Sequence, residues 1–371
     1  MLIRQDAMRG ALNFLTWPAI AGVLAGLLLL QQLTLREDAA TPAGRESYRD
    51  AVAMATPAVV NIYTARRVAS TRSPLLNNPL MPIPLGVPRQ RVERSLGSGV
   101  IMSEDGYILT NNHVIEGADA VQVLLSDGRS AAAQLVGRDR ATDLAALRID
   151  LDGLSAIPVA DSDRLSVGDV VLAIGNPLGF GHSVTQGIVS GLGRFGLTPG
   201  TYEGFIQTDA VIHPGNYGGA LVDVSGALVG INTLIYTASD GASAGNTGIG
   251  ISLAIPSRLA EFVMDDLIRF GRVIRGWLGV QVEQLPAGDR ARAPQLLVRA
   301  VAPEGPADRA GLRAGDIITH FDDEPVGDIR LSMYEVSLLR PGDRLPITVS
   351  RDGDTLELSA VIGAQPQAED A

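Results

Sequence analysis

A glycine-rich turn at residues 213–219, with the sequence His-Pro-Gly-Asn-Tyr-Gly-Gly, holds the residue types best suited to chemistry in this chain. A turn of this kind exposes one side chain at its tip and directs backbone N–H groups at an oxygen that becomes negatively charged during a reaction. The side chain at the tip is that of Tyr217. Taken alone, the segment would indicate only a tight turn.

Two other residues change that interpretation. His113 lies at the end of a strand-like run, and Asp143 lies just before an apolar one. Each alone is typical of a structural residue, the aspartate of a turn or a helix cap. Together with the glycine-rich turn, however, they follow the chain order His, Asp, nucleophile of a chymotrypsin-type triad. In that chemistry the histidine takes the proton of the nucleophile, and the aspartate fixes the tautomer of the histidine.

Composition excludes several other classes of site. The net charge of −11 argues against a nucleic-acid-binding surface, which needs clustered Lys and Arg. The chain has no cysteine, so it has no disulfide and no thiol nucleophile. None of its four histidines lies in a His-Glu-x-x-His pattern. We therefore expect no metal and no cofactor.

An uncharged stretch of twenty residues, Ala11 to Leu30, lies near the N-terminus. As a helix it would span about 30 Å, the thickness of a bilayer core. Arg4 and Arg9 precede it, so the positive-inside rule keeps the N-terminus in the cytoplasm and exports the remainder of the chain. The alternative is a cleaved signal peptide, but no small-residue cleavage site follows the apolar core.

The rest of the chain is rich in short Val- and Ile-containing runs, which predict a mainly β protein with a sandwich or a pair of barrels. Five prolines predict a long loop from Ser70 to Arg94. Ser257 is a candidate N-cap for a helix that ends at Gly271. The expected segments are a cytoplasmic N-terminus and membrane anchor (1–36), a tether (37–50), a first folded domain (51–271), a smaller module (272–364) and a tail (365–371).

Several ordered motifs carry a resemblance to a known family. They include Leu96–Ile101, Ile174–Gly179, Ser183–Ile188 and Gln207–Ala210, besides the segments around His113 and Asp143. The sequence resembles the HtrA family of envelope serine proteases, most closely its membrane-anchored DegS type. The resemblance runs from the N-terminal apolar stretch to about Ile362, which is nearly the whole chain.

The resemblance implies a fold and roles for particular residues. It implies a trypsin-like double β-barrel followed by one PDZ domain, with an N-terminal transmembrane helix. His113 would be the general base, Asp143 its orienting partner, and the amides of Gly215 and Tyr217 the oxyanion hole. Arg194 matches an arginine that couples PDZ occupancy to active-site order; the alternative is a solvated loop charge.

The resemblance also implies binding partners. The loop formed by Trp277, Leu278, Gly279 and Val280 is similar to the family's carboxylate-binding loop, whereas the alternative is a hydrophobic strand with a glycine kink. The implied protein is a homotrimer in the inner membrane that faces the periplasm. It would bind C-terminal peptides of misfolded envelope proteins, and its substrate would be a membrane-spanning anti-sigma factor.

One residue departs from the family pattern, because Tyr217 stands where the nucleophilic serine is expected. A free phenol has a pKa near 10, and the phenolic oxygen lies several ångströms farther from the backbone than a serine Oγ. We therefore predict that hydrolysis is reduced by several orders of magnitude or absent. Two hypotheses follow. The chain is either an endopeptidase framework that lacks its nucleophile or a pseudoprotease that senses C-termini. A natural inactivated copy, a recent mutation and a sequence error remain open as the origin of Tyr217.

Overall fold

The structure is a computed structural model that describes residues 25–26, 47–69, 90–176, 181–197, 202–235, 251–285 and 295–366. The chain divides into two units, Met1–Tyr48 and Arg49–Ala371. Apart from Ala25 and Gly26, the expected membrane segment from Ala11 to Leu30 lies outside the described residues. No helix in the described part of the chain combines the length and the apolar character needed to cross a membrane.

The first six strands close into a barrel in the order β1-β2-β3-β6-β5-β4. A short helix, α1 (Arg49–Ala55), precedes them. The strands are β1 (Val59–Ala69), β2 (Gln90–Ile101), β3 (Tyr107–Asn111), β4 (Ala120–Leu124), β5 (Ser130–Asp139) and β6 (Leu144–Arg148). Branched aliphatic side chains fill the interior, and the largest of them are fully buried, namely Ile62, Ile101, Ile108, Leu109, Leu144 and Leu147.

The next six strands close into a second barrel in the order β10-β11-β12-β9-β8-β7. They are β7 (Val170–Gly175), β8 (Ser183–Arg194), β9 (Phe205–Thr208), β10 (Ala220–Val222), β11 (Leu228–Ile235) and β12 (Ser252–Pro256). Its core is also aliphatic and includes Val171, Val189, Ile206, Leu221 and Val229. The expectation of a mainly β fold with two barrels is confirmed.

The proline-rich loop is shorter than expected at its C-terminal end. Residues 90–94 belong to β2 and pair with β1, with Arg94 opposite Ala65 and Gln90 opposite Ala69. The expectation that the loop extends to Arg94 is therefore wrong. Pro88 is the last proline before β2, so every later residue of the segment has an N–H group available for the ladder. The rest of the expected loop, residues 70–89, lies outside the described residues.

A single long helix, α3 (Ser257–Phe270), follows the second barrel. The helix before it in the chain, α2 (Asn112–Ile115), is a single turn in the first barrel. Ser257 is the first helical residue of α3 and not its N-cap, and its hydroxyl donates to the carbonyl of Ala160 at 2.7 Å. That bond ties α3 to the second barrel, which explains why the hydroxyl is not used for capping. The helix ends as predicted at Gly271, whose positive φ of 69° permits the left-handed C-cap.

The C-terminal module is a small sheet with two helices. One sheet has the order β14-β15-β16-β18-β19, with β17 beside β16, and β13 pairs with β20. The strands are β13 (Gly276–Trp277), β14 (Val280–Leu285), β15 (Gln295–Val301), β16 (Ile317–Phe321), β17 (Glu324–Pro325), β18 (Arg344–Arg351), β19 (Asp354–Val361) and β20 (Gly363–Ala364). The helices are α4 (Pro306–Arg309) and α5 (Ile329–Leu338).

A buried ion pair in this module gives a prediction on its stability. Arg351 binds Asp316 through two bonds of 2.7 and 2.8 Å, and the Asp316 side chain is only 2% exposed. The hydrogen bond from Arg351 lowers the pKa of the Asp316 carboxyl below its ordinary value. The stabilisation is therefore present above the unfolded pKa, about 3.9, and is lost as the pH falls through the lower folded pKa.

We expect Asp316→Asn to lower the urea midpoint of the module clearly at pH 7, and to lower it much less once the pH is below the folded pKa. Urea unfolding of both proteins between pH 7 and pH 2 measures this difference. Asp354→Asn, at an exposed position, is the control and should leave the midpoint unchanged at every pH. An Asp316→Asn effect of equal size across this range would contradict the prediction.

Candidate functional site

His113 and Asp143 meet at the end of two neighbouring strands. β3 and β6 pair with Asn111 opposite Leu144, so the residues that follow β3 and precede β6 lie side by side. His113 is in α2, and its Nδ1 lies 2.6 Å from Asp143 Oδ2. The backbone N–H of His113 also donates to Asp143 Oδ1 at 2.9 Å. The carboxylate thus fixes both the ring and the backbone of the histidine, while the ring remains 40% exposed.

Asp143 is held in an unusual backbone conformation. Its φ is +57°, a region that residues other than glycine rarely occupy. Its carbonyl accepts bonds from the backbone N–H of Asn112 at 2.9 Å and from Asn111 Nδ2 at 3.1 Å. These bonds stabilise the conformation that turns the carboxylate toward His113.

Thr233 is a functional residue that sequence reasoning missed. It lies on β11 in the second barrel, is 1% exposed, and donates its hydroxyl to Asp143 Oδ2 at 3.1 Å. Asp143 therefore receives bonds from both barrels. Nothing in the local sequence around Thr233 distinguishes it from an ordinary strand threonine, because its partner is ninety residues away.

The glycine-rich turn forms a single 3₁₀ turn, Pro214–Asn216, followed by Tyr217. The N–H of Asn216 donates to the carbonyl of His213 at 2.7 Å. Gly218 has a φ of +80°, and a Cβ there would lie 2.3 Å from the carbonyl oxygen of Ser98. Only glycine fits at this position, so the sequence motif has a direct steric cause.

Tyr217 lies beside His113. Their ring centroids are 5.3 Å apart, and the rings meet edge to face at 80°. The Tyr217 side chain is half-buried and also packs against the core cluster of the second barrel. The structure thus brings together the predicted base, its orienting carboxylate and the residue at the tip of the turn. The aromatic ring occupies the space next to the His113 ring.

Arg194 lies at the end of β8, and its side chain has a definite partner. Its Nε donates to Gln207 Oε1 on β9 at 2.8 Å. The next residue, Phe195, contacts Tyr334 of α5 with ring centroids 5.8 Å apart. Arg194 is therefore one residue away from a contact between the barrels and the C-terminal module.

The predicted carboxylate-binding loop has the geometry of an anion-binding turn. Gly279 has a φ of +80°, and the carbonyls of Leu278 and Gly279 accept bonds from Ala307 and Ala302 at 2.9 and 2.8 Å. Because peptide units are planar and trans, the N–H groups of Gly279 and Val280 point away from those bonds. Val280 begins β14, which is an edge strand of its sheet, so a peptide can extend the sheet at this edge.

Arg275 connects this loop to the segment before Asp143, a link that the sequence did not indicate. It lies two residues before Trp277, and its Nη2 binds Asp139 Oδ2 at 2.5 Å. Both side chains are about nine-tenths buried, at 11% and 10% exposure. The guanidinium also stacks over the Tyr202 ring at 4.2 Å. Asp139 in turn accepts the Thr142 hydroxyl at 2.6 Å, immediately before Asp143.

Comparison with known proteins agrees with this architecture. Residues 97–231 match the model of a trypsin-like peptidase domain, and residues 276–362 match that of a PDZ domain. The serine endoprotease DegS of Escherichia coli (strain K12) is 44% identical over 332 residues, which cover 88% of this chain and 87% of DegS. DegS of Salmonella typhimurium (strain 14028s / SGSC 2262) is 39% identical over 363 residues, 96% of this chain and 97% of that protein. A solved structure of the HtrA-type protease AlgW with a decapeptide superposes with a TM-score of 0.67 at 47% identity, covering 86% of this chain and 99% of that one.

Proposed function

Because the chain belongs to the HtrA/DegS family of trypsin-like proteases with one PDZ domain, we propose that it is a membrane-anchored, periplasm-facing endopeptidase framework that lacks its nucleophile. Its ancestral reaction is the regulatory proteolysis of envelope proteins, with C-terminal peptides at the PDZ domain as the gating signal. As the chain stands, its hydrolytic activity is very low or absent.

One observation carries this proposal: the His113–Asp143 pair is fully assembled, and the residue beside it is a tyrosine. The 2.6 Å contact and the second bond from Thr233 support a competent base. A phenol at position 217 cannot attack a carbonyl held at amides of its own turn, because its oxygen extends past that point. The roles we assign are general base for His113, orienting carboxylate for Asp143 and oxyanion-hole amides for Gly215 and Tyr217.

The PDZ part of the proposal rests on the geometry of residues 277–280. Outward-facing N–H groups at Gly279 and Val280 suit a terminal carboxylate, and the free edge of β14 suits an extended peptide. AlgW has been solved with a decapeptide and with a tripeptide. We assign Trp277, Leu278, Gly279 and Val280 to peptide binding and Arg194 to the coupling of that binding to the barrels.

The relatives and the N-terminal sequence support a proposal for the location and the partners of the chain. DegS and periplasmic DegP-like endoproteases are among the relatives, and the uncharged stretch from Ala11 to Leu30 suits a single inner-membrane anchor. We further propose a homotrimer that senses exposed C-termini of misfolded envelope proteins. A membrane-spanning anti-sigma factor is the natural substrate that the family relationship suggests.

A second function, a pseudoprotease that acts as a C-terminal-peptide sensor or scaffold, is favoured by a different observation. The Tyr217 ring packs against both His113 and the second-barrel core, so the fold provides favourable contacts for an aromatic side chain at this position. The residues assigned to peptide binding, 277–280, do not include position 217. The two functions therefore share the peptide site and differ in whether any bond is cleaved.

Peptide binding is tested with the purified full chain. A fluorescent decapeptide with an apolar C-terminal residue and a free carboxylate should bind saturably, and its C-terminal amide should bind at least about tenfold more weakly because the loop loses its anion. Gly279→Val should weaken the acid form to the level of the amide, since φ there is +80° and a Cβ would lie 3.2 Å from the Trp277 ring. Equal binding of acid and amide would refute the assignment of this loop. Casein and dansyl-peptide cleavage is then measured for the same preparation and for its Tyr217→Ser variant. Cleavage by the variant alone would show that the framework is competent and that the tyrosine blocks it, whereas cleavage by the native chain would argue against a pseudoprotease.

A further inference from the structure

We propose that Ser98 is a positioning residue for the turn that carries the oxyanion-hole amides. Ser98 lies on β2 in the first barrel, whereas the turn belongs to the second barrel. The inference rests on the proposed function, because it concerns the amides of Gly215 and Tyr217 as oxyanion donors. It adds a residue that neither acts on a substrate nor belongs to the predicted triad.

Ser98 binds the turn at two points. Its backbone N–H donates to the carbonyl of Tyr217 at 2.9 Å, and its hydroxyl donates to the carbonyl of Gly215 at 2.8 Å. Each of these carbonyls fixes the plane of one peptide unit. The peptide unit that contains the N–H of Tyr217 lies between those two fixed planes. The Gly219 N–H also donates to the carbonyl of Asn216, within that unit, at 2.9 Å. The orientation of the Tyr217 amide is therefore set by this bond together with the two flanking units that Ser98 holds.

The hydroxyl of Ser98 both donates and accepts a hydrogen bond. It has one proton, which it gives to Gly215, and its oxygen accepts the backbone N–H of Asn176 at 2.9 Å. Ser98 is 0% exposed, so water cannot replace either bond without rearrangement. One oxygen atom thus connects the first barrel, the end of β7 and the turn.

Backbone bonds support the turn, including those from the Asn216 N–H to His213 at 2.7 Å and from the Gly218 N–H to Asn232 at 2.8 Å, but its central side chain adds none. Asn216 is 0% exposed, and neither polar atom of its side chain has a hydrogen-bond partner in the described part of the chain. It packs against Gly175, where a Cβ would lie 2.7 Å from the Asn216 Cα. Steric contact and second-barrel backbone bonds therefore hold one side of the turn, and Ser98 holds the carbonyls of Gly215 and Tyr217 from the first barrel.

The test compares two serine variants in the full-length Tyr217→Ser protein, whose nucleophile is restored. Ser98→Ala should lower kcat for a dansyl peptide about 10- to 100-fold, because displaced oxyanion donors cost roughly that much, and KM should change less than twofold. Ser257→Ala is the matched control, since Ser257 is also 0% exposed and donates its hydroxyl to a carbonyl at 2.7 Å, in α3 and away from the turn. It should lower the thermal midpoint by a similar amount and leave kcat unchanged.

A second measurement does not require activity. In the native Tyr217 chain, Ser98→Ala should accelerate amide hydrogen exchange across residues 213–219 at least about tenfold, while Ser257→Ala should not. If Ser98→Ala does not fold, Ser98→Cys, which keeps a side chain of similar shape but is a weak donor, should show a smaller change in the same direction.

The outcomes distinguish a failure of the proposed function from a failure of the inference about Ser98. If Tyr217→Ser is inactive, the proposed framework is not competent, and hydrogen exchange still decides the role of Ser98. If Ser98→Ala leaves both kcat and exchange unchanged, or if Ser257→Ala changes them equally, Ser98 has only a structural role and the inference is overturned.

Discussion

Restoring serine at position 217 is expected to raise peptide hydrolysis by at least about 10³-fold over the native chain, because a triad without its nucleophile retains only residual catalysis from binding and the oxyanion hole. His113 and Asp143 are already in contact at 2.6 Å, and the proposed function requires in addition a small hydroxyl at the tip of the turn. Cleavage of a dansyl peptide and of casein, with an activating C-terminal peptide present, measures the gain.

Two controls identify the cause of that gain. Tyr217→Ala removes the ring without supplying a nucleophile and should stay at the level of the native chain. His113→Ala combined with Tyr217→Ser should return the rate to that level, because the serine then has no base. Comparable hydrolysis by the Tyr217→Ala and Tyr217→Ser variants would show that the missing serine does not limit activity. Family-like activity of a native chain with a verified Tyr217 codon would show the same. If none of the variants cleaves, the defect extends beyond this residue.

The second large effect is expected at Asp143. In the Tyr217→Ser protein, Asp143→Asn should lower kcat by about 10⁴-fold, since an amide in place of the carboxylate favours the wrong tautomer of the histidine. The carboxylate binds His113 at both Nδ1 and the backbone N–H, and Asn can satisfy only part of this geometry. Steady-state kinetics over a range of pH gives kcat and its dependence on the protonation of the histidine.

Thr233→Val is the matched control for this experiment. It removes the 3.1 Å bond to Asp143 Oδ2 but keeps the carboxylate and its contact with His113. We expect a loss of about tenfold or less, as for a residue that only orients the carboxylate. Losses of equal size at Asp143 and Thr233 would mean that the carboxylate acts through packing and not through its charge.

Much of the fold was predictable because its signals are local. The run 121–125 begins with alternating apolar and polar residues, and the run 170–174 is apolar throughout. Both contribute to strands of closed barrels. The end of α3 was predictable from Gly271, whose left-handed conformation most other residues avoid. The start of α3 was not fully predictable, because the Ser257 hydroxyl bonds to Ala160, nearly a hundred residues earlier, and not to its own helix.

The same distinction applies to the site. The sequence by itself determined which chemical groups are available: a histidine, an aspartate and a glycine-rich turn in triad order, with a tyrosine at the tip of that turn. Only the tertiary structure decided how those groups are held. Thr233, Ser98 and Arg275 act on partners 90, 117 and 136 residues away, and nothing in their local sequence identifies those partners. Such contacts form only when both barrels close and the C-terminal module packs against them, because the closed sheets, and not the neighbours along the chain, set the distance between these atoms.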